Sequence, residues 1–226
     1  MGSKVSYNEQ TLNTPNPIAR FSHKARYKFS FDETQRYLSN NGVLLDFGCG
    51  DGSFLNKLAM MRSDAVLYGF DPESNQSVES YTKINNLNDL GDQSIDVVCC
   101  FETLEHLYAH EREHFYTDVR RILSKNGKVV VSVPIIGGPT LILKVINGMI
   151  LFNRRSEYSF KELLSASFLG KPALKPENPR VTHKGFNFRD IEEELSSKFK
   201  TVEKMYSPFP LLPWFLNSQF FLILSV

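Results

Sequence analysis

Three cysteines and one tryptophan are few for 226 residues, and 26 lysines and arginines are nearly matched by 25 aspartates and glutamates. Each shortage excludes something. Cys99 and Cys100 are adjacent in an apolar stretch, so no disulfide framework is available and a reducing compartment is expected. Balanced charge leaves no net field to draw the protein onto a polyanion, and nucleic acid is not an expected partner. No apolar run reaches the roughly twenty residues of a membrane span. The N-terminus shows no charged-then-apolar signal pattern, so a cytoplasmic location is expected, with peripheral membrane contact left open. Also missing is Gly-x-Gly-x-x-Gly, the spacing of a nicotinamide-binding turn. The length suits one α/β domain spanning 1–226.

What is present centres on Val43-Leu44-Leu45-Asp46-Phe47 followed by Gly48-Cys49-Gly50-Asp51-Gly52. The first five residues read as a short buried strand and the three alternate glycines as a tight turn. Phe54, Leu55, Leu58, Ala59 and Met61 then fall on one face of a helix, with Ser53 at the expected N-cap. Strand, glycine turn and helix let the backbone approach a ligand closely. Acids on both sides of the turn, Asp46 and Asp51, disfavour a pyrophosphate. They suit a ligand with an ammonium, a sulfonium and ribose hydroxyls. Ala65 to Phe70 is a second apolar strand, and it ends in Asp71 about twenty residues after the turn, where an acid can accept from both ribose hydroxyls.

In this pattern Asp46 to Gly52 resembles motif I of the class I S-adenosylmethionine-dependent methyltransferases. Three further stretches are similar to that family in order: Ala65–Asp71, Ser94–Leu107 (fourth strand and following loop) and Leu123–Pro134 (turn and fifth strand). The resemblance implies a Rossmann-like, seven-stranded, mostly parallel sheet with an antiparallel last strand and an apolar insertion after the fifth strand. It implies S-adenosylmethionine as cofactor, held by Asp46, Gly48, Cys49, Gly50, Gly52, Phe70, Asp71, Pro72 and Phe101, with Asp89 and Leu90 at the adenine. Cys49 reads as a small side chain tolerated in the turn, not as a nucleophile. Helices within residues 1–40 are expected to cap the cofactor, which brings His23 and Arg26 toward the acceptor as substrate-binding residues.

Past the fourth strand stands Glu102-Thr103-Leu104-Glu105-His106. Two carboxylates three apart and an adjacent imidazole can converge on one divalent cation, magnesium, manganese or zinc, which would lower the pKa of an acceptor hydroxyl. The pattern resembles ubiquinone-biosynthesis O-methyltransferases, and also small-RNA 3′-terminal 2′-O-methyltransferases, which add a further histidine; His183 is the candidate for it here. Glu102, Glu105 and His106 are thus candidate catalytic residues and metal ligands, and His183 a candidate substrate-binding residue. A metal-free reading remains open, with His106 as general base. The acceptor expected is a hydroxyl of an apolar, aromatic or lipid-linked small molecule. The RNA-modifying activity and a non-catalytic, cofactor-binding partner subunit are the alternatives.

The remainder reads in order. Residues 1 to 17 form a polar lead-in. One or two helices follow to Asn40, the second opened by Ser30 or Asp32. A helix from Pro72 to about Ile84 is expected, then a short third strand near Ile84–Leu87. Tyr108–Leu123 is a helix facing inward through Phe115, Val119 and Ile122, with His110 and His114 solvated. The insertion, 135–180, holds an apolar helix from Thr140 to Phe152 and then proline-marked loops. Its stretch 135–155 suits a lid or an interfacial membrane contact. Asn187 caps a helix from Arg189 to Phe199, and Thr201–Tyr206 and Gln219–Val226 supply two last strands.

Overall fold

In the computed structural model, which describes residues 17–73, 79–152 and 155–226, the apolar runs become strands β1 (Val43–Phe47), β2 (Val66–Phe70), β3 (Thr82–Ile84), β4 (Ile95–Phe101), β5 (Leu123–Pro134), β6 (Lys200–Ser207) and β7 (Gln219–Ser225). Among the described residues these form one seven-stranded sheet in the order β3-β2-β1-β4-β5-β7-β6. The pairs from β3 to β5 are parallel, and β7 runs antiparallel to both its neighbours. This is the expected class I methyltransferase fold. The helices are α1 (Pro17–Tyr37), α2 (Ser53–Met61), α3 (Ala109–Ile122), α4 (Pro139–Phe152), α5 (Phe160–Phe168) and α6 (Phe188–Lys198).

Strand alternation explains the two-sided core. Leu45, Phe47, Val98 and Cys100 pack with Phe115, Val119 and Ile122 of α3 and Ile191 and Leu195 of α6. Leu44, Val97 and Cys99 point the other way, to Phe31 of α1 and Phe54, Leu55 and Leu58 of α2. Burying one such large side chain contributes about 1.5–3 kcal/mol. A strand buried on both faces reads as a continuous apolar run, as Val97 to Phe101 of β4 do. The order of strands reverses between β1 and β4, which opens a crevice above their carboxyl ends, the place where sheets of this kind bind ligands.

Several local expectations need correction. Of the one or two helices expected up to Asn40, residues 17–37 form one; Ser30 is buried inside it and opens no second helix. The polar lead-in before Pro17 lies outside the described residues, as does the middle of the helix expected over 72–84. Its ends are turns at Pro72–Glu73 and Glu79–Ser80, and β3 begins at Thr82, earlier than expected. Ser53 does not cap α2. Gly52 is the cap residue, and the Asp51 carboxylate accepts from the Ser53 amide at 3.0 Å. The turn expected before the fifth strand survives as a bulge: Ile95 pairs with Leu123 but Val97 with Lys128. In the insertion, the proline-marked stretch 171–179 is loop as expected, and α5 lies ahead of it as a helix that was not foreseen. Its Ser159–Glu162 capping box is a start signal legible in the sequence.

Candidate functional site

Two cavities meet above the carboxyl ends of β1 and β4. The larger, about 680 Å³, runs from Phe70, Asp71, Pro72 and Asn85–Leu87, past Gly48, to Glu102, Thr103, His106, His110 and Arg180. The smaller, about 240 Å³, lies between the glycine turn and α1 and is lined by His23, Arg26, Tyr27, Asp46, Cys49, Gly50, Phe101 and others. Gly48 and Glu102 line both.

The glycine turn is built for close approach. Gly48 has φ +82° and Gly50 φ +55°, a region that side-chain-bearing residues seldom occupy. A Cβ on Gly48 would stand 2.2 Å from Thr103 Oγ1, whereas no atom of the described residues lies within 4 Å of one on Gly50. Only glycine lets the β1 turn touch the loop after β4, and Gly50 leaves open floor. Its amide donates to Asp71 Oδ2 at 2.9 Å, and the Glu73 amide to Asp71 Oδ1 at 2.8 Å. The Asp71 carboxylate is thus fixed by backbone at the wall of the larger cavity. Beneath the turn Asp46 is 3% exposed; burial, with the charge of Asp71, pushes its pKa up to about 7. The same burial, with Asp46 and Asp71 nearby, pushes the Cys49 thiol up to about 12, so it stays protonated and is no nucleophile.

Two of the expected adenine residues are displaced. Leu90 packs in the core, and neither it nor Asp89 lines either cavity. Asn85, Asn86 and Leu87 at the end of β3 do so instead, because β3 ends three residues earlier than its expected position. Gly52 also stays off the cavity walls; its Cβ direction is filled by the Tyr81 ring.

At the acceptor end the carboxylates separate. Glu102, at φ +50°, accepts from Arg26 Nη1 at 3.2 Å and from Ser132 Oγ at 3.2 Å. A non-glycine residue held there marks a position the surroundings over-determine. Glu105 turns the other way and is buried, with both carboxyl oxygens lacking a hydrogen bond among the described residues; burial and the Glu102 charge raise its pKa well above the usual carboxylate range. Its Oε1 lies 3.9 Å from His106 Nε2 and 3.8 Å from His183 Nε2, and the two imidazole nitrogens are 3.1 Å apart. One ligand atom from each of these three residues lies within 4.8 Å of the others. The convergent group is therefore Glu105, His106 and His183, not the sequence triplet Glu102, Glu105 and His106: Glu102 is occupied by Arg26 and Ser132. Ligand atoms each about 2.0–2.2 Å from one ion have comparable separations, so an orphaned carboxyl and two facing imidazoles fit a cation. His106 Nδ1 is 3.4 Å from Pro179 O, an outer contact that selects the tautomer with Nε2 turned inward. Burial and the neighbouring His106, Lys144 and Arg26 push His183 down to about 4.

Arg26 and His23, expected at the acceptor, line the glycine-turn cavity. Sequence reading missed Ser132, Lys144 and Arg180. Lys144 interrupts the apolar face of α4, and its Nζ donates to Ile135 O at 2.9 Å, where desolvation lowers its pKa. That interruption was its only signal. His110 and His114 are solvent-exposed, as expected, yet they border the larger cavity.

A family profile described as a methyltransferase domain matches residues 21–149, more than half of the chain. Among solved structures, a protein of Pyrococcus horikoshii is similar at 14% identity over 98% of this chain and 99% of that one, with a TM-score of 0.59. The Burkholderia thailandensis 1,6-didemethyltoxoflavin N1-methyltransferase, with 1,6-didemethyltoxoflavin and S-adenosylhomocysteine bound, is similar at 14% identity over 89% and 78%, TM-score 0.58. The Synechocystis magnesium protoporphyrin IX methyltransferase, with S-adenosylhomocysteine bound, follows at 17% over 94% and 88%, TM-score 0.52. At such identities the likeness is one of fold. A search of the curated proteins returns no match.

Proposed function

The chain belongs to the methyltransferase-domain family, and from that premise we propose that it methylates a hydroxyl of an apolar, aromatic or lipid-linked small molecule, using S-adenosylmethionine. That cofactor supplies an electrophilic methyl carbon when bound. The chain's own residues position and shield: Asp71 accepts from the ribose hydroxyls, Asp46 answers positive charge beneath the turn, and α1 covers the glycine-turn cavity. Orientation of this kind accounts for about 7–11 kcal/mol of such barriers.

The observation that carries the hydroxyl reading is the orphaned Glu105 carboxyl between His106 and His183. These three residues would hold a divalent cation, whose Lewis acidity lowers the pKa of an acceptor hydroxyl. Two imidazoles and one carboxylate shift the donor set toward zinc or manganese and away from magnesium. Without a cation, His106 Nε2 is the group at hand to take the proton.

An apolar acceptor is supported by the surface beside the site. Leu143, Ile146 and Met149 on α4, Leu164 and Phe168 on α5, and Leu211, Leu212 and Phe215 in the β6–β7 connection are exposed. Exposed apolar side chains grouped on these neighbouring elements suit an interaction surface. Lys24 on α1, Lys161 on α5, and Arg155 and Lys171 in the loops on either side of α5 are exposed as well. No helix among the described residues is long and apolar enough to cross a membrane, so contact would be interfacial. His183 in the cluster is also what the RNA-modifying alternative calls for; the apolar surface and balanced charge count against it.

Calorimetry tests the reading. S-adenosylhomocysteine should bind, and zinc or manganese titrated into the loaded protein should bind saturably, with that signal lost in Glu105→Ala and His183→Ala. Metal binding unaffected by either substitution would defeat the cation assignment. Cofactor binding without methyl transfer to any phenol, catechol or sugar would favour the non-catalytic partner subunit.

A further inference from the structure

The cavity between α1 and the glycine turn is lined by three acids, Asp46, Asp51 and Glu102, and by one lysine or arginine, Arg26. His23 adds no charge near neutral pH, because burial and the Arg26 and Lys144 charges push it down to about 4. The amino-acid end of a donor such as S-adenosylmethionine brings an ammonium and a carboxylate into one small space. Asp46 and Asp51 can answer the ammonium, Glu102 being paired with Arg26. Among the described residues on these walls, Arg26 alone offers the carboxylate a permanent cation with a planar fork of donors.

Arg26 is already engaged. Its Nη1 pairs with Glu102 Oε2 at 3.2 Å, and the two side chains are only 12% and 17% exposed. Glu102 is held independently by Ser132 Oγ at 3.2 Å, so it keeps its place when Arg26 turns away. Glu102 also borders both cavities, which puts this one ion pair at the junction of the donor and acceptor ends.

Resting on the donor-binding reading above, we propose that Arg26 is a shared cation: it binds the carboxylate of the donor's amino-acid end and in doing so releases Glu102, so that this acceptor-side carboxylate is free only when the donor is in place. The two carboxylates compete for one guanidinium, which makes Glu102 an internal competitor of the donor. Because Arg26 stands on α1, the same contact draws the cap helix onto the bound donor. An ordered reaction, donor before acceptor, follows.

The test compares S-adenosylmethionine with decarboxylated S-adenosylmethionine, which keeps the sulfonium and ammonium but lacks the carboxylate, by calorimetry on the full chain. Arg26→Ala should weaken binding of the first about tenfold or more, in line with a lost charge-assisted pair, and leave the second within about twofold. Arg26→Lys should restore part of the loss. Glu102→Gln should tighten S-adenosylmethionine several-fold and leave the decarboxylated ligand unchanged. Equal losses for both ligands in Arg26→Ala, or no loss for either, would overturn the carboxylate contact, and weaker binding in Glu102→Gln would overturn the competition. Arg26→Gln repeats the comparison if the alanine variant does not fold. Wild-type protein that binds neither ligand would instead sink the donor reading itself, so the two failures are told apart.

Discussion

Both carboxyl oxygens of Glu105 are buried without a hydrogen bond among the described residues. A buried polar group left unpaired costs about 1–3 kcal/mol. Its raised pKa means the folded protein binds a proton there more tightly than the unfolded chain. The stability this contributes is present below the ordinary glutamate range and is lost as pH rises toward the folded value. Glu105→Met, which fills similar space without a charge, should therefore raise unfolding stability by about 1–3 kcal/mol near neutral pH while abolishing cation binding. Glu105→Gln should flatten the pH dependence. Urea unfolding at pH 5 and pH 8 reads both, and a strongly destabilised Glu105→Met would show that the carboxyl has a structural partner after all. The stability cost of this residue is what a function for it predicts.

Asn217 plays the corresponding part at the scale of an element. It is fully buried in the connection between β6 and β7. Its Oδ1 accepts from the Phe209 amide at 2.7 Å, and its Nδ2 lies within hydrogen-bond distance of the carbonyls of Phe209, Leu212 and Pro213, at 3.1–3.2 Å. One side chain thus replaces the ladder that this proline-rich stretch cannot make for itself. The connection supports α4 in turn, since Phe215 fills the space beside Gly138. Asn217→Ala should cost about 1–3 kcal/mol, from the lost hydrogen bonds of a fully buried side chain, seen as a lower urea midpoint. A shift near zero would mean that water takes over those bonds.

For the whole molecule, the exposed apolar side chains come from separate parts of the chain that tertiary packing gathers. Helix α4 packs on α5 and on the 214–216 turn, and Phe21 of α1 meets Phe209 with ring centroids 5.9 Å apart. Leu141, on the same helix, is buried, so it belongs to the core and not to this surface. With basic residues on α1, on α5 and in the loops on either side of α5, the surface should bind anionic phospholipid vesicles, more weakly at high salt and more weakly still to neutral vesicles. Changing Leu143, Ile146 and Met149 to Ser together should remove most of that co-sedimentation and leave S-adenosylhomocysteine binding intact. Wild-type protein that never pellets with vesicles would leave α4 as a lid.

The chain's own letters were enough for the sheet, because a strand buried on both faces must be apolar throughout, as Val97 to Cys100 are, and because only glycine tolerates the turn at Gly48. Asp71 was legible for a similar reason: an acid closing the second strand has one place to go. Distances across the fold were not legible. Glu102 and Glu105 look alike three residues apart, yet the left-handed backbone at Glu102 sends one to Arg26 and Ser132 and the other toward His183, 78 residues downstream of it. Periodicity describes neighbours along the chain, and a binding site is made of neighbours in space. The end of β3, which moved the cavity wall from Asp89 and Leu90 to Asn85–Leu87, and the gathering of apolar faces around α4 were likewise decided by packing, where the energy of a placement depends on partners that no local window contains.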